Sequence, residues 1–206
     1  MTGKVAGMVE LLRGAGMSQE ELQAAIDEKF SMVDLVVIDS GPGKSADQGT
    51  TIGLSDFVTV VRDSSWGADE GAKKLSRVCK EAGSHYVVVS NRGEHFPEVA
   101  KLQGKLKSGE VPKDMRHGIE ALAERIGDAR IVGVVGGKGG VGKTTIAACL
   151  ALSIANDGGK VLVVDMDNQE GCISRVLSGK EMSKGERHKW IGRNGAEKEY
   201  DEGEIE

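Results

Sequence analysis

The sequence predicts a three-layer α/β domain built on a doubly wound, mainly parallel β-sheet. A chain of 206 residues is long enough to bury one large core. Five short runs are continuously apolar, as in strands that are buried on both faces, and helical patterns separate them. Such alternation is typical of parallel sheets. The five predicted strands are Leu35–Asp39, Phe57–Arg62, Tyr86–Ser90, Arg130–Val135 and Val161–Asp165.

Four helices are predicted from capping residues and apolar stripes. Near the start of the sequence, the capping box Ser18-Gln19-Glu20-Glu21 begins a helix that extends to about Lys29. Apolar residues at helical spacing predict helices over Gly67–Ala82 and Met115–Ile126. A fourth helix, Thr144–Asn156, follows a strand directly. In an open sheet of this kind, ligands bind at the carboxyl ends of the strands, so we expect the functional residues there.

The sequence divides into one domain over residues 1–178 and a charged tail over residues 179–206. The tail is rich in charged residues, poor in apolar ones and ends in the acidic run Asp201–Glu206. This composition predicts a solvated or disordered segment. Alternatively, Trp190 and Tyr200 dock the tail onto the domain or onto a partner.

Composition excludes several classes of protein. Lys and Arg number 27 against 32 Asp and Glu, and the net charge of −5 argues against a general nucleic-acid binder. The three cysteines form no Cys-x-x-Cys pair, so neither a disulfide framework nor a paired-thiolate metal site is predicted. The N-terminal apolar stretch is too short for a signal peptide, and no run approaches about 20 apolar residues. We therefore expect a soluble, cytoplasmic protein.

A glycine-rich loop follows the predicted strand that ends at Val135. The pattern G-x-x-x-x-G-K-[ST] is completed there, between a strand and a helix, by Gly137, Gly142, Lys143 and Thr144. Glycines let successive backbone N–H groups turn toward phosphate oxygens, and the helix adds its positive N-terminal end. Lys143 supplies a positive charge for the outer phosphates, and Thr144 supplies a hydroxyl for Mg²⁺. We expect a nucleotide to contact Gly137, Gly139, Gly140, Val141, Gly142, Lys143, Thr144 and Thr145.

Three other predicted strands end in polar side chains at the same edge of the sheet. Asp39 is a candidate to hold a Mg²⁺-bound water. Asp165 and Asp167 end another strand, and only some of these polar groups can face the glycine-rich loop because successive side chains alternate in direction. Alternatively, the two aspartates cap the next helix. Asn91 ends a third strand, where its amide either contacts a purine edge or serves in a turn.

The string Lys138-Gly139-Gly140-Val141-Gly142-Lys143-Thr144-Thr145 resembles the deviant Walker A motif of the ParA/MinD superfamily of P-loop ATPases. The resemblance implies a P-loop NTPase fold that binds ATP and Mg²⁺. It also implies a nucleotide-sandwich homodimer in which Lys138 reaches the phosphates bound by the partner. Thr144 and Asp39 would hold Mg²⁺, with Asp39 as the Walker B aspartate. Asp167 lies in a segment similar to the family's D-x-D-P-Q element and would position the attacking water, with Asn168 in place of the proline.

The resemblance also extends to the base of the nucleotide. In the family, an asparagine at the end of the corresponding strand contacts the base, which implies that role for Asn91, with Arg92 beside it. The loop Val111-Pro112-Lys113-Asp114 looks like the family's loop that closes over the base, so Pro112 is a further candidate.

The resulting hypothesis is an ATP-hydrolysing molecular switch, with Lys138, Lys143 and Asp167 as its catalytic residues. Bound ATP and Mg²⁺ would hold two aspartate loops in one state, and hydrolysis would release them. The resemblance implies that such a switch positions, partitions or matures an unidentified protein cargo, or responds to a protein activator. The alternative is a regulatory or scaffold protein that binds nucleotide with little or no hydrolysis.

Two other classes of partner have less support in the sequence. A basic set of side chains is a candidate DNA-binding surface, but a solvated helix face explains it more simply. Membrane binding is not expected, because the apolar stripe of Met115–Ile126 is better explained as core. The members of the basic set are Lys101, Lys105, Lys107, Lys113 and Arg116.

The motifs occur in an order that differs from that of the family. The Walker B half, residues 31–126, precedes the Walker A half, residues 130–178, whereas the family begins with Walker A. We interpret the sequence as a circular permutant joined through Gly127-Asp128-Ala129-Arg130. The alternative is a fusion of two half-domains that completes its site only with a second chain. The permutant predicts that Leu35–Asp39 lies beside Arg130–Val135 within one chain, with Asp39 near Thr144.

Overall fold

The computed structural model describes residues 7–41, 46–91, 109–167, 173–178, 184–185 and 187–191. The strands in this part of the chain are β1 (Met8–Arg13), β2 (Leu35–Asp39), β3 (Phe57–Arg62), β4 (His85–Ser90), β5 (Ile131–Val135), β6 (Lys160–Asp165) and β7 (Arg187–Ile191). The helices are α1 (Gln19–Phe30), α2 (Ala46–Leu54), α3 (Trp66–Glu81), α4 (Lys113–Ile126), α5 (Lys143–Asn156) and α6 (Ile173–Ser178). Every strand and helix predicted from the sequence is present, with ends that differ by at most two residues.

These strands form one sheet in the order β4-β3-β5-β2-β6-β1-β7. All pairs are parallel except the pair at one edge, where β7 runs antiparallel to β1. β5 lies inside the sheet, with β3 on one side and β2, the middle strand of the seven, on the other. The prediction of a doubly wound, mainly parallel sheet is therefore confirmed.

Helices cover both faces of the sheet and complete the three layers. On one face, α1, α2 and α3 pack against strand residues such as Val36, Ile38 and Val60. On the other face, α4, α5 and α6 pack against strand residues such as Val37 and Val134. α5 is buried along most of its length because it contacts four strands, β1, β2, β5 and β6. Removing these branched apolar side chains from water is the main stabilising contribution in such a domain.

β2 and β5 are neighbours within this one chain. Their parallel register places Val36 opposite Ile131 and Asp39 opposite Val134. Asp39 and the glycine-rich loop that follows Val135 therefore lie at the same edge of the sheet, as the permuted order of motifs predicts.

The segment between α4 and β5 is held at both of its sides. The Asp56 carboxylate accepts hydrogen bonds from the backbone N–H groups of Arg130 and Ile131, at 3.0 and 2.9 Å. The Arg130 guanidinium donates to the carbonyl oxygens of Phe30 and Val33, at 2.6 and 2.7 Å, and lies over the Phe30 ring. These contacts fix the start of β5 between its two neighbouring strands.

Four elements of the fold, β1, α2, α6 and β7, are not predicted from the sequence. In β1 the apolar run is interrupted by Glu10, which is buried because it pairs with Lys29 of α1 at 3.2 Å. α2 contains two glycines and three β-branched residues, which favour helix weakly. β7 lies within the segment for which a solvated tail is expected, and its five residues instead pair with the open edge of β1. Apart from these and Lys184-Gly185, the tail lies outside the described residues.

Candidate functional site

The glycine-rich loop lies at the carboxyl edge of the sheet, between β5 and α5. Gly140 and Gly142 have φ angles of 76° and 96°, in the left-handed region that residues with a Cβ disfavour. Gly142 also occupies the cap position of α5, so the loop leads directly into the positive end of this helix. This backbone shape is compatible with N–H groups that turn toward a bound anion.

The loop is packed directly against α3 through two glycines. A Cβ added to Gly137 would lie 2.3 Å from the Cα of Gly71, which belongs to α3. A Cβ added to Gly71 would lie 2.6 Å from the Cα of Gly137. Neither residue therefore tolerates a side chain unless α3 and the loop move apart.

Asn91 holds the glycine-rich loop in place through a hydrogen bond. Its side chain is 1% exposed, and its Nδ2 donates a hydrogen bond to the carbonyl oxygen of Val141 at 2.7 Å. A Cβ on Gly142 would lie 2.2 Å from this Nδ2. The structure thus gives Asn91 a role in positioning the loop, and its contact with a base stays a prediction.

Asp39 is a buried carboxylate of the site whose charge the protein does not satisfy. It is fully buried at the end of β2, and neither of its oxygens forms a hydrogen bond of good geometry among the described residues, although the Thr144 hydroxyl lies close enough to favour the charged form. Burial, reinforced by the nearby carboxylate of Asp165, raises the pKa of Asp39 to about 8, against the pull of the nearby Thr144 and Lys143. Asp39 and Thr144 therefore lie close together, as the sequence predicts for two ligands of one Mg²⁺.

Lys143 faces the same group of carboxylates. Its side chain is 6% exposed, and this burial lowers its pKa, while Asp39 and Asp167 favour the charged form. The loop lysine, the end of β2 and the segment after β6 therefore converge on one site. Charges in such a buried place are screened weakly by water.

Asp165 has a structural role at the end of β6. Its Oδ1 lies 3.0 Å from Nη1 of Arg13 in β1, and it accepts a hydrogen bond from the N–H of Asp167 at 3.1 Å. Its Oδ2 accepts from the backbone N–H of Ser174 in α6 at 3.1 Å and also from the Ser174 hydroxyl. The alternative in which an aspartate caps the next helix therefore describes Asp165. Sequence patterns do not reveal Arg13, because only the pairing of β1 with β6 brings it opposite Asp165.

The loop that follows β2 contacts both Asp167 and the glycine-rich loop. A Cβ on Gly41 would lie 3.4 Å from the carbonyl oxygen of Met166 and 3.8 Å from Oδ1 of Asp167. Gln48 of α2, which is 5% exposed, donates from Nε2 to the carbonyl oxygen of Gly136 at 2.8 Å and to that of Gly41 at 3.4 Å. Gln48 is a site residue that the sequence does not reveal, because no local pattern marks it.

Lys138 lies on the outer side of the loop. It is exposed, and its Nζ donates to the Ser65 hydroxyl at 3.2 Å, just before α3 begins. The Ser65 hydroxyl in turn donates to the Asp63 carboxylate. Lys138 is therefore separate from the buried pair of Lys143 and Asp39 within this chain.

The remaining predicted residues lie on α4 or outside the described part of the chain. Pro112 caps α4, and its carbonyl oxygen accepts from the N–H groups of Met115 and Arg116 at 2.9 and 3.1 Å. Arg92 lies outside the described residues, as do three of the basic candidates for DNA binding, Lys101, Lys105 and Lys107. The other two basic candidates, Lys113 and Arg116, are exposed on α4.

Curated proteins share local sequence similarity with this chain. The cytosolic Fe-S cluster assembly factor NUBP2 homolog of Trichoplax adhaerens is 49% identical over 47 residues, which are 23% of this chain and 18% of that protein. The septum site-determining protein MinD of Escherichia coli K12 is 54% identical over 56 residues, 24% of this chain and 21% of MinD. ATPase BagA of Mycobacterium tuberculosis is 55% identical over 38 residues, 18% of this chain and 11% of BagA. The chain thus matches about a fifth or less of the length of these relatives.

A family model described as an AAA domain matches residues 129–194. This range contains β5, the glycine-rich loop, α5, Asp165 and Asp167. The matched range and these relatives support the resemblance of this chain to the ParA/MinD superfamily of P-loop ATPases. The resemblance seen in Lys138–Thr145 is therefore confirmed, and the glycine-rich loop, called the phosphate loop below, is similar to that of these ATPases.

No solved structure matches the chain significantly. Within the described residues, no helix combines the length and the apolar character that crossing a bilayer requires.

The raised pKa of Asp39 predicts a specific pH dependence of stability for the metal-free protein. Its pKa rises from 3.8 to about 8 on folding, so between these values the folded state keeps a proton that the unfolded state releases. The free energy of unfolding should therefore fall as pH rises from about 5 to 8, by on the order of 1 kcal/mol per pH unit. Asp39→Asn should remove this part of the slope. Urea unfolding of both proteins with EDTA measures the difference, and parallel pH curves would contradict the prediction.

Proposed function

We propose that this chain is an ATP-binding and ATP-hydrolysing molecular switch. The observation that carries the proposal is the position of Asp39 beside Thr144 and Lys143, with both carboxylate oxygens buried and without a hydrogen bond of good geometry among the described residues. Such a group is costly unless a ligand supplies a cation or a donor. A nucleotide with Mg²⁺ supplies the cation, and the P-loop ATPase family supports ATP as the nucleotide.

Each residue of the site has a role in this proposal. The N–H groups of the phosphate loop and the Lys143 ammonium would bind the phosphates. Lys143 would stabilise charge that develops on the terminal phosphate, and burial makes this effect large because little water screens the charge. Thr144 and Asp39 would hold Mg²⁺, which neutralises phosphate charge when it is bound. Asp167 would orient the attacking water.

The contacts around Gln48 support a switch as well as an enzyme. Gln48 joins the phosphate loop at Gly136 to the loop after β2 at Gly41, and Gly41 in turn lies against Asp167. Three loops that would surround the terminal phosphate therefore share contacts. Loss of that phosphate on hydrolysis would be transmitted to the loop after β2, which is how nucleotide switches act.

We further propose that the active form is a homodimer in which nucleotide lies between two chains. The exposure of Lys138 supports this role, because its ammonium is outside the buried site of its own chain and available to a second one. The partner that binds according to the state of the switch would be an unidentified protein cargo or activator in the cytoplasm. The names of MinD, a septum site-determining protein, and of NUBP2, an Fe-S cluster assembly factor, favour positioning or maturation of a cargo.

We also propose that the chain is a circular permutant that completes its site alone. The parallel pairing of β2 with β5, and the proximity of Asp39 to Thr144 within one chain, support this interpretation. The hydrogen bonds from Arg130 and Ile131 to Asp56 also support it, because they make the joining segment part of the sheet.

The proposed activity predicts that Lys143→Ala lowers ATP turnover by about 100-fold, since removing one buried charge-stabilising donor costs about this much. Lys160→Ala, which removes an exposed lysine at the amino-terminal end of β6, should leave turnover unchanged. Phosphate release in the presence of Mg²⁺ measures both. Equal rates for the wild type and Lys143→Ala would refute the assignment, and tight ATP binding without phosphate release by the wild type would favour a nucleotide-binding regulator.

The permutant predicts that variants defective in different halves do not complement each other. Asp39→Ala lies in the Walker B half and Lys143→Ala in the Walker A half, so each variant chain would carry one broken site of its own. An equimolar mixture should be as inactive as either variant. Recovery of about a quarter or more of wild-type turnover, as random pairing of exchanged halves would give, would instead support fused half-domains.

The proposed homodimer predicts that Lys138→Ala abolishes ATP-dependent dimerisation. The variant should still bind ATP as a monomer with an affinity within about threefold of the wild type, because Lys138 is exposed and surface changes cost little. Sedimentation velocity with and without ATP measures the association. Lys74→Ala, at an exposed position on α3, is the matched control, and a dimer that persists in Lys138→Ala would exclude this role.

A further inference from the structure

A cationic groove runs along α3 on the face of the sheet that α1 and α2 also cover. It has a volume of about 590 Å³ and lies between α3 and the outer strands β3 and β4. The groove is open to solvent and does not include any residue of the phosphate loop. Its lining residues are Arg62, Asp69, Ala72, Lys73, Ser76, Arg77, Lys80 and Val88.

The charges of this groove are only partly neutralised. Asp69 pairs with Arg62 and, at 2.9 Å, with Lys73, which also pairs with Glu70 at 2.9 Å. Arg77 and Lys80 are exposed about one and two turns beyond Lys73 on α3, and neither forms an ion pair with another described residue. Asp69 and Glu70 thus offset Arg62 and Lys73, and Arg77 and Lys80 leave the groove with a net positive charge on a chain whose net charge is −5.

The sequence contains a segment of complementary charge. Glu197–Glu206 holds six carboxylates and a single lysine, and it lies outside the described residues. A segment of such charge gains free energy beside a cluster of unpaired cations and is not expected to form a core of its own.

The position of β7 allows the acidic segment to reach the groove. Ile191 pairs with Met8 at the amino-terminal end of β1, and the C-terminal end of α3 leads into the amino-terminal end of β4. Both therefore lie at the same edge of the sheet. The six strand spacings from β7 to β4 amount to about 29 Å. Asp201, ten residues beyond Ile191, can extend about 33 Å, so the carboxylates from Asp201 onward reach the groove.

We propose that the acidic segment Glu197–Glu206 docks in the cationic groove of α3 within the same molecule. Arg77 and Lys80 are its main contacts. Because Gly71 of the same helix lies against Gly137, an occupant that shifts α3 also shifts the phosphate loop. Docking itself does not rest on the proposed ATPase activity and can be measured without nucleotide.

Zero-length cross-linking tests the docking directly. A carbodiimide joins a lysine amine to a carboxylate that is in direct contact with it, and mass spectrometry then identifies the pair. In dilute, nucleotide-free protein, Lys73 and Lys80 should form about tenfold more cross-links to the peptide that contains Glu197–Glu206 than does Lys113, which is exposed on the opposite face of the sheet. Equal cross-linking of all three lysines, or cross-links that form only between two molecules, would overturn the proposal.

Charge reversal separates docking from a merely structural effect. Arg77→Glu with Lys80→Glu should reduce the Lys73 cross-links to the level of Lys113, whereas Arg116→Glu with Arg125→Glu on α4 should leave them unchanged. Arg77→Glu with Lys80→Glu should also speed up hydrogen exchange of the α3 amides, because the segment no longer covers them. Replacing the six carboxylates of the acidic segment by lysine in this background should slow the exchange again. Circular dichroism checks that each variant is folded. Exchange in α3 that is the same in all variants would show that the segment does not occupy the groove.

Discussion

The parallel pairing of β2 with β5 brings Asp39, near the start of the chain, to a loop that begins almost a hundred residues later. Everything else in the candidate site follows from this pairing. The row of strand ends continues through Asp165 of β6 to Arg13 of β1, so one edge of the sheet carries two buried carboxylates and one guanidinium. Without β5 beside β2, the phosphate loop and these charges would not lie at one edge of the sheet.

The two buried carboxylates at that edge, Asp39 and Asp165, have different surroundings. Asp165 is balanced by Arg13 and by the N–H groups of Asp167 and Ser174, so its charge is satisfied by the protein itself. Asp39 has no such balance among the described residues, and its raised pKa reports the cost. A stable fold would normally neutralise such a group. A carboxylate that is left unsatisfied beside a satisfied one is poised for a ligand rather than for stability.

Local sequence patterns predict most of the fold and the centre of the site. β2 and β5 are recognisable because strands buried on both faces are continuously apolar, and the phosphate loop is recognisable because glycine and lysine occur at fixed spacing before a helix. The parts that escape prediction depend on tertiary contacts. β1 contains a glutamate that is tolerated only because it pairs with Lys29. β7 forms only because the edge of β1 is open. Gln48 acquires its role only because the fold brings the two loops that it contacts together. Asn91 shows the same limit: its type and place are predictable, but its bond to Val141 is not.

The position of β5 between β2 and β3 also has a consequence for folding during synthesis. A ribosome releases β2, β3 and β4 before β5, yet β2 and β3 are not neighbours and both pair with β5. The sheet therefore cannot close during synthesis of the first half, and two apolar strand edges stay unpaired until the phosphate-loop strand emerges. Unpaired edges of this kind invite association with other chains. The order of the motifs along the chain thus leaves these strand edges open until the strand that carries the nucleotide loop has been synthesised.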